Sequence, residues 1–226
     1  MAKIRLILLV IFLVLAKQNH LIAQSPDLGL ITSMSLSKNI GRDLGVKFEQ
    51  ELRFNQNLTA YDRSLTSIKL DYSIFRKLIM AEIEYDFVHQ RQTDIFEFRH
   101  RTSLGLSTFI EYNSLEFEFR TRGQATWRDE NRGDYKFNPK YVWRNKLECA
   151  YKIFGSPLKP YISGEVFCPV NSPYGFYMDG FRIAAGAKYR INSRNSIQLF
   201  VRYDQDVQQP NPKAIMYGGV GWNYKL

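Results

Sequence analysis

The chain ends with IMYGGVGWNYKL, residues 215–226, in which bulky apolar side chains alternate with small or polar ones. Valine, tryptophan, tyrosine and leucine occupy the even positions from 220 to 226, and glycine, asparagine and lysine occupy the odd positions between them. Successive side chains of a β-strand point to opposite faces of the sheet. The pattern therefore predicts a strand with one bulky apolar face and one small or polar face.

The same period-two alternation runs through the rest of the chain, and residues 24–226 show no helical periodicity. Soluble sheets usually have strands of roughly five or six residues, whereas a tilted strand needs about nine to eleven to cross a membrane. Most of the candidate strands have that greater length, so the sequence predicts an all-β protein. The candidate strands span residues 28–38, 44–55, 64–75, 78–90, 94–109, 114–128, 140–154, 158–169, 178–191, 195–206 and 214–226.

The connections between these strands alternate in length, apart from a short hairpin at 91–93. Bacterial outer-membrane barrels have short periplasmic turns, longer outer loops and normally an even number of strands. We therefore predict an antiparallel up-and-down transmembrane β-barrel over residues 44–226, with ten strands as the first choice and twelve as the second. Residues 24–43 become an N-terminal segment with a possible extra strand. The short turns fall near 39–43, 76–77, 110–113, 155–157 and 192–194, and the longer segments at 56–63, 128–139, 170–177 and 207–213.

Each strand separates apolar from charged residues by parity. In the strand 44–55, for example, the even positions carry mainly leucine, valine and phenylalanine, and the odd positions carry lysine, glutamate and arginine. We interpret the charged face as the lumen and the apolar face as lipid-facing; a soluble barrel would have the opposite sidedness. The lumen candidates are Arg53, Glu84, Arg99, Arg101, Glu118, Arg120, Arg122 and Arg144.

Aromatic residues on the apolar parity favour the membrane interpretation. They gather towards the two ends of the strands, and amphipathic rings prefer the headgroup levels of a bilayer. One predicted belt contains Phe54, Phe87, Phe96, Trp127, Tyr141, Trp143, Phe181 and Tyr203, and the other contains Tyr72, Tyr151, Tyr189, Trp222 and Tyr224.

The charged face mixes positive and negative residues within and between strands. If the hairpin at 91–93 pairs residues whose numbers sum to 183 or 185, Glu84 lies opposite Arg99 or Arg101. Opposed carboxylates and guanidiniums suit a narrow lumen that must neutralise its own charge. A solvated outer face with incidental ion pairs is the alternative interpretation.

The N-terminus predicts secretion to the bacterial outer membrane. Lys3 and Arg5 precede an apolar run over 6–16, and Ala23 offers a small residue at a cleavage point, which is the order of a secretory signal peptide. The run is shorter than the ~20 residues of a membrane helix. We predict that residues 1–23 are a cleaved signal peptide.

The expected partners are outer-membrane lipid and the barrel-assembly machinery, and no nucleic acid. The formal net charge is +9, but acidic residues are interleaved with the basic ones instead of leaving a basic patch. Outer-membrane barrels most often end on phenylalanine, whereas this chain ends on leucine. The predicted assembly signal is Trp222, Tyr224 and Leu226.

Reactive side chains are few. Cys149 and Cys168 lie on neighbouring strands in positions too far apart for a disulfide, and residues 24–226 contain no CxxC or His/Cys cluster. We therefore predict two free thiols, no metal site and no cofactor. His100 and Ser103, three residues apart on one strand, point to opposite faces, so no catalytic residue is assigned.

Two stretches, FEQELRFNQN at residues 48–57 and FEFRHRT at 96–102, resemble the DUF2490 family. This family is of unknown function and is found largely in Bacteroidetes and related bacteria. The resemblance covers about residues 28–226 and implies an outer-membrane-type barrel without an established activity. Arg53, Arg99, His100 and Arg101 match recurrent Arg/His positions of the family.

The sequence favours a barrel of structural or narrow-pore type, with a charged, ion-paired lumen that admits small polar solutes. An outer-membrane enzyme that modifies lipid or lipopolysaccharide is the first alternative. A soluble periplasmic barrel that binds an apolar ligand is the second, and it requires the opposite sidedness.

Overall fold

The computed structural model describes residues 27–75, 78–92, 95–128, 138–173, 175–208 and 212–226. The predicted signal peptide, residues 1–23, lies outside the described residues. No helix in the described ranges is long and apolar enough to cross a membrane. The strands are β1 (Asp27–Ile40), β2 (Leu44–Asn55), β3 (Ala60–Phe75), β4 (Ile79–Gln92), β5 (Ile95–Tyr112), β6 (Leu115–Arg128), β7 (Lys140–Tyr151), β8 (Leu158–Pro169), β9 (Gly180–Arg190), β10 (Asn195–Asp206) and β11 (Ala214–Lys225).

These strands form one closed barrel, so the all-β barrel prediction is confirmed. Neighbours in sequence pair antiparallel, and the barrel closes where β1 pairs with β11 in parallel. The described strands number eleven, not ten or twelve, and the barrel is mixed instead of wholly antiparallel. The two corrections have one cause: an odd number of up-and-down strands leaves the first and last running in the same direction, so the closing pair must be parallel.

Strand β1 occupies most of the N-terminal segment 24–43, and it is a full strand of the barrel, paired along both edges. Its pairing with β11 runs from Asp27 opposite Ile215 to Ser37 opposite Lys225. Its other edge pairs with β2 over the whole range from Leu30 to Ile40. Without β1, both β2 and β11 would present an edge of unpaired N–H and C=O groups.

Several connections are shorter than the sequence predicts. The segment 56–63, expected to be a long loop, is a turn at 56–59 because β3 already begins at Ala60. Gln56, Asn57 and Leu58 adopt positive φ angles of 52°, 55° and 69°, which reverse the chain within this short span. A register shift at Arg53/Phe54 accommodates the early start of β3.

The exposure of neighbouring residues decides which face is inside. On β4, Ile83 is 44% exposed whereas Glu82 is 6% exposed, and on β5, Leu104 is 62% exposed whereas Ser103 is 2% exposed. The charged parity therefore lines the lumen, and the apolar parity forms the outer surface. This is the sidedness predicted for a membrane barrel, and it is opposite to that of a soluble barrel binding an apolar ligand.

The barrel has two different ends. The turn end carries the connections β1–β2, β3–β4, β5–β6, β7–β8 and β9–β10 together with Leu226, and the loop end carries the other connections together with Asp27. Carboxylate oxygens of Asp27 accept hydrogen bonds from the backbone N–H groups of Gln56 (2.8 Å) and Asn57 (2.9 Å). The first described residue is thereby attached to the β2–β3 turn.

Exposed aromatic side chains mark both ends of the outer surface. Trp127, Tyr141 and Trp143 lie towards the loop end, and the middle of the wall between the ends carries mainly aliphatic side chains. The exposed tyrosines towards the turn end are Tyr72, Tyr112, Tyr151 and Tyr189.

The β4–β5 register differs from both registers that the sequence suggested. Glu84 lies opposite Ser103, and Asp86 lies opposite Arg101. Strand β4 continues two residues further towards the loop end than expected, and its last residue, Gln92, pairs with Ile95, the first residue of β5. The hairpin is therefore displaced along the chain, and the carboxylate opposite Arg101 is that of Asp86 instead of Glu84.

Small residues on the lumen face of β11 and β1 leave space there for neighbouring side chains. A Cβ atom on Gly219 would lie 2.1 Å from the ring of Phe200, and one on Gly29 would lie 2.4 Å from the ring of Tyr217. Such distances are far below van der Waals contact, so these two rings lie directly on the backbone of the opposing glycines. The lumen thus has a wall of small residues facing a wall of long charged side chains.

The parallel closing pair can be tested by disulfide trapping. In a background with Cys149→Ala and Cys168→Ala, the double variant Ser35→Cys, Asn223→Cys should form a disulfide on mild oxidation. The two positions are partners in the register, and Ser35 Oγ lies 3.0 Å from Asn223 Oδ1. Strands that pair are about 4.8 Å apart, which is within the Cα separation that a disulfide tolerates. Non-reducing electrophoresis measures the yield.

The matched control combines Ser33→Cys with Lys225→Cys, which lies on the same face of β11 but four positions from Gly221, the partner of Ser33. That displacement is about 13 Å along the strand, so little disulfide should form. A higher yield in the control than in the test pair would contradict the closing register.

Candidate functional site

The lumen holds a network of ion pairs that connects strands across the barrel. Its central carboxylate on one side belongs to Glu82 of β4. The guanidinium of Arg122 donates from Nε (2.8 Å) and Nη2 (2.6 Å) to Oε1 of Glu82, and Nζ of Lys69 lies 3.0 Å from Oε2. Gly105 lies opposite Glu82, and a Cβ atom there would come within 2.8 Å of Oε1. The glycine therefore leaves the space in which this carboxylate lies.

A second central carboxylate belongs to Glu165 of β8. Arg144 donates to its Oε1 from Nε (3.0 Å) and Nη2 (2.8 Å), and Arg182 donates to Oε2 at 3.3 Å. Arg120 of β6 reaches the same carboxylate at 3.6 Å. The guanidiniums of Arg144 and Arg182 also lie 5.0 and 5.2 Å from the ring centre of Phe167, at distances typical of cation–π contacts.

The network continues onto β10. Asp204 accepts from Nε (2.8 Å) and Nη2 (3.0 Å) of Arg182, and Nε of Arg202 lies 3.0 Å from Oδ1 of the same carboxylate. The guanidinium of Arg202 lies 4.7 Å from the ring centre of Tyr217. Because a planar guanidinium can bind carboxylates and stack on rings at once, arginine suits these shared positions better than lysine does.

All eight lumen candidates from the sequence lie on the inner face, and the structure places seven of them in ion pairs. Glu118 is the exception: it lies opposite Glu148, and the described structure gives it no ion pair. The pairs are Arg53–Glu51, Glu84–Arg122, Arg99–Glu97, Arg101–Asp86, Arg120 with Glu82 and Glu165, Arg122–Glu82 and Arg144–Glu165.

Sequence reasoning did not single out the residues on which the network converges. Glu82 belonged to the charged parity but was not selected, and Glu165, Arg182 and Asp204 were not named. The signal that could have found them is the parity itself, because each occupies the charged face of a strand with a defined register.

Three cavities inside the barrel adjoin one another. The central cavity, of about 240 Å³, is lined by residues of β2 to β7, including Arg53, Arg101 and Arg144. The loop-end cavity, of about 280 Å³, also includes Arg53 in its lining. The turn-end cavity, of about 440 Å³, shares Glu51 with the central cavity. Because Glu51 and Arg53 bind each other, this ion pair lies where the three cavities adjoin.

Both histidines of the described residues lie on the outer surface. His89 Nδ1 is 2.9 Å from the hydroxyl of Tyr61, and His100 Nδ1 is 2.7 Å from that of Tyr85. Ser103 is buried on the opposite face of the wall. The hydrogen-bond partners of both imidazoles are thus tyrosines, and no serine is among them.

The described part of the chain contains no cluster of metal-ligating side chains and no disulfide. No group of three or more His, Cys, Asp or Glu side chains there is placed to hold a metal ion. Cys149 lies opposite Ile162, and Cys168 lies opposite Trp143. Both thiols are free, as predicted.

The predicted assembly residues lie at the turn end. Trp222 is 39% exposed on the outer face; its indole N–H donates to Asn195 Oδ1 at 3.1 Å and its ring lies 6.2 Å from that of Tyr224. The backbone N–H of Leu226 donates to the carbonyl of Ser37 at 2.8 Å, while the Leu226 side chain is 65% exposed. The terminus is thus hydrogen-bonded to β1 and presents its apolar side chains outwards.

Comparison with known proteins gives a family but no activity. No curated protein matches the chain. Among solved structures, a bacterial polysaccharide outer membrane secretin is similar over 78% of this chain and 73% of its own, with 14% identity and a TM-score of 0.44. The model of the family described as "Protein of unknown function (DUF2490)" matches residues 28–214. The chain therefore belongs to the DUF2490 family.

Proposed function

We propose that this chain is a bacterial outer-membrane barrel with a narrow, ion-paired lumen that admits small polar solutes. The observation that carries the proposal is the sidedness of the closed sheet. Large apolar side chains such as Ile68, Leu104 and Leu199 are 51%, 62% and 60% exposed on the outer surface. Soluble monomers rarely expose a contiguous apolar surface of this kind, whereas a bilayer requires it.

The distribution of outer aromatic residues supports the same environment. Rings at the two ends of an apolar band match the two headgroup levels of a membrane. Three of the five loop-end connections, at 129–139, 170–179 and 207–213, are longer than any turn-end connection, as on the outer side of such barrels. We infer that the turn end, with Trp222 and Tyr224, faces the periplasm and carries the signal for the barrel-assembly machinery.

The lumen supports passage of small solutes only. Long charged side chains fill it, as expected of small barrels, and the space left includes the three adjoining cavities. The Glu51–Arg53 pair lies at their junction, on the β2 wall. A solute that moves through these three cavities meets this pair, and a charged filter of that kind selects by size and charge.

The lipid-modifying enzyme has less support than the narrow pore. Acyl transfer needs a nucleophile within hydrogen-bond reach of its general base. His89 and His100 do lie on the lipid-facing wall, but Tyr61 and Tyr85 occupy the Nδ1 positions. The two histidines pack among phenylalanine rings of β4 and β5, with His89 stacked on Phe96 at 4.8 Å. Their arrangement suits an interfacial aromatic cluster.

Fractionation tests the membrane assignment. The protein should sediment with the outer membrane and require detergent for extraction, because the apolar band loses its favourable environment in water. Density-gradient separation followed by immunoblotting measures the distribution. Recovery in the soluble periplasmic fraction without detergent would overturn the assignment.

Planar-bilayer recording tests the passage. The purified protein should give small single-channel currents, and the variant Glu51→Ser, Arg53→Ser should increase the conductance by about twofold or more, because it removes the charged pair at the junction of the cavities. The absence of single-channel current at all voltages for both proteins would rule out the pore.

The matched control is Glu97→Ser, Arg99→Ser. This variant also removes a lumen ion pair of a glutamate and an arginine two residues apart, with Oε2 and Nη2 2.6 Å apart, but neither residue lines any of the three cavities. Its conductance should stay close to that of the unaltered protein. An equal increase in conductance in the test and control variants would show that the Glu51–Arg53 pair does not limit the passage of solutes.

A further inference from the structure

The central cavity carries an excess of positive charge. Seven lysines and arginines line it, against four aspartates and glutamates. Carboxylates outside the lining neutralise some of these cations: Glu82 binds Arg122, and Glu165 binds Arg144. Other cations have partners on their own strand, as Arg53 has in Glu51.

Among the cations that line the central cavity, Arg101 is the one with a buried guanidinium nitrogen that has no hydrogen-bond partner. Within the described ranges, its one ion pair joins Nη1 to Oδ2 of Asp86 at 3.5 Å, which is longer than a normal N–H···O hydrogen bond. Its Nε atom is buried and has no hydrogen-bond partner. The positive charges of Arg144, Arg63 and Arg53 act on it as well. Its side chain is only 17% exposed, so water does little to screen this repulsion.

The geometry points to a binding site for a small oxyanion in the central cavity, with Arg101 as its principal ligand. A phosphate- or sulfate-like group would accept hydrogen bonds from the guanidinium of Arg101. It would thereby place a negative charge at hydrogen-bonding distance, whereas Asp86 lies 3.5 Å away. Planar guanidiniums bind such groups through paired N–H donors. Arg53 and Arg144 line the same cavity and add to the positive potential there.

The size of the cavity limits the ligand. A volume of about 240 Å³ is on the order of eight water molecules at about 30 Å³ each. A free inorganic oxyanion with part of its hydration shell fits that space, and so does the phosphate group of a small organic solute. The shared chemistry is a compact, multiply charged oxygen anion.

This inference deepens the proposed function, because it names a class of solute for the lumen, but the site can be tested without a membrane. If the protein binds phosphate in detergent micelles but passes no current in planar bilayers, the binding site is supported and the pore is rejected. If the protein passes current in planar bilayers but does not bind phosphate, the pore is supported and the binding site is rejected.

The experiment is isothermal titration of the detergent-solubilised protein with inorganic phosphate, at an ionic strength held constant with chloride. The unaltered protein should bind phosphate. Arg101→Gln should weaken binding by about tenfold, the loss expected for a charge-assisted hydrogen bond. A parallel titration with glucose 6-phosphate identifies the source: tighter binding of the sugar phosphate assigns an organic phosphate, and tighter binding of phosphate assigns the free ion.

Arg99→Gln is the matched control. Arg99 lies on the same strand and face, pairs with Glu97 at 2.6 Å and does not line the central cavity. Its replacement removes the same charge and should change the Kd by less than about threefold, because it acts only at long range.

Asp86→Asn gives a result that loss of folding cannot imitate. It removes the carboxylate that competes with the oxyanion for Arg101, so phosphate should bind more tightly, by about threefold or more. Absence of phosphate binding by the unaltered protein, equal losses in Arg101→Gln and Arg99→Gln, or weaker binding by Asp86→Asn would each overturn the site.

Discussion

Neutralisation of charge inside a closed wall is the constraint on which the rest of this structure depends. A carboxylate or guanidinium buried in the lumen without a partner costs several kcal/mol, so the buried charged side chains of the inner face need an opposite charge within reach; Glu118, which has no ion pair among the described residues, is only partly buried. Glu82 and Glu165 meet this need for arginines from several strands. The same wall can then present its other parity, which is apolar, to a bilayer.

The small residues of β1 and β11 complement this charged wall. Glycine and serine leave room on one side of the lumen, and Phe200 and Tyr217 pack into it over Gly219 and Gly29. Parallel pairing of these two strands removes the last free edges of the sheet. It also places the first described residue, Asp27, at the loop end and Leu226 at the turn end, so the described chain enters and leaves the barrel at opposite ends.

Local features of the fold could be predicted from the sequence because they depend on neighbouring residues. Strands β2, β8 and β10 have the predicted bounds, since clear turn residues on both sides define them. The inner parity, and with it the placement of Arg53, Arg122 and Arg144, followed from the same alternation. Both are properties of a single strand.

Features that combine several strands could not be predicted in the same way. The pairing of β1 with β11 joins the two ends of the described chain, and no local pattern signals its direction. The convergence of arginines from β6, β7 and β9 on Glu165 depends on three registers at once. The β4–β5 register alone was displaced from the expected one, which changed the partner of Arg101. Errors in single registers therefore accumulate across the site.

The central claim is that the apolar parity contacts lipid and the charged parity lines a lumen. Fluorescence quenching by brominated lipids tests it most directly, because bromine quenches tryptophan only on contact. In reconstituted single-tryptophan variants, Trp143 and Trp222 should each be quenched strongly, and more by bromine near the headgroup than near the chain end. A tryptophan introduced by Phe200→Trp, in a chain without the native tryptophans, should remain unquenched. Strong quenching of the residue at position 200 together with unquenched Trp143 and Trp222 would contradict the account.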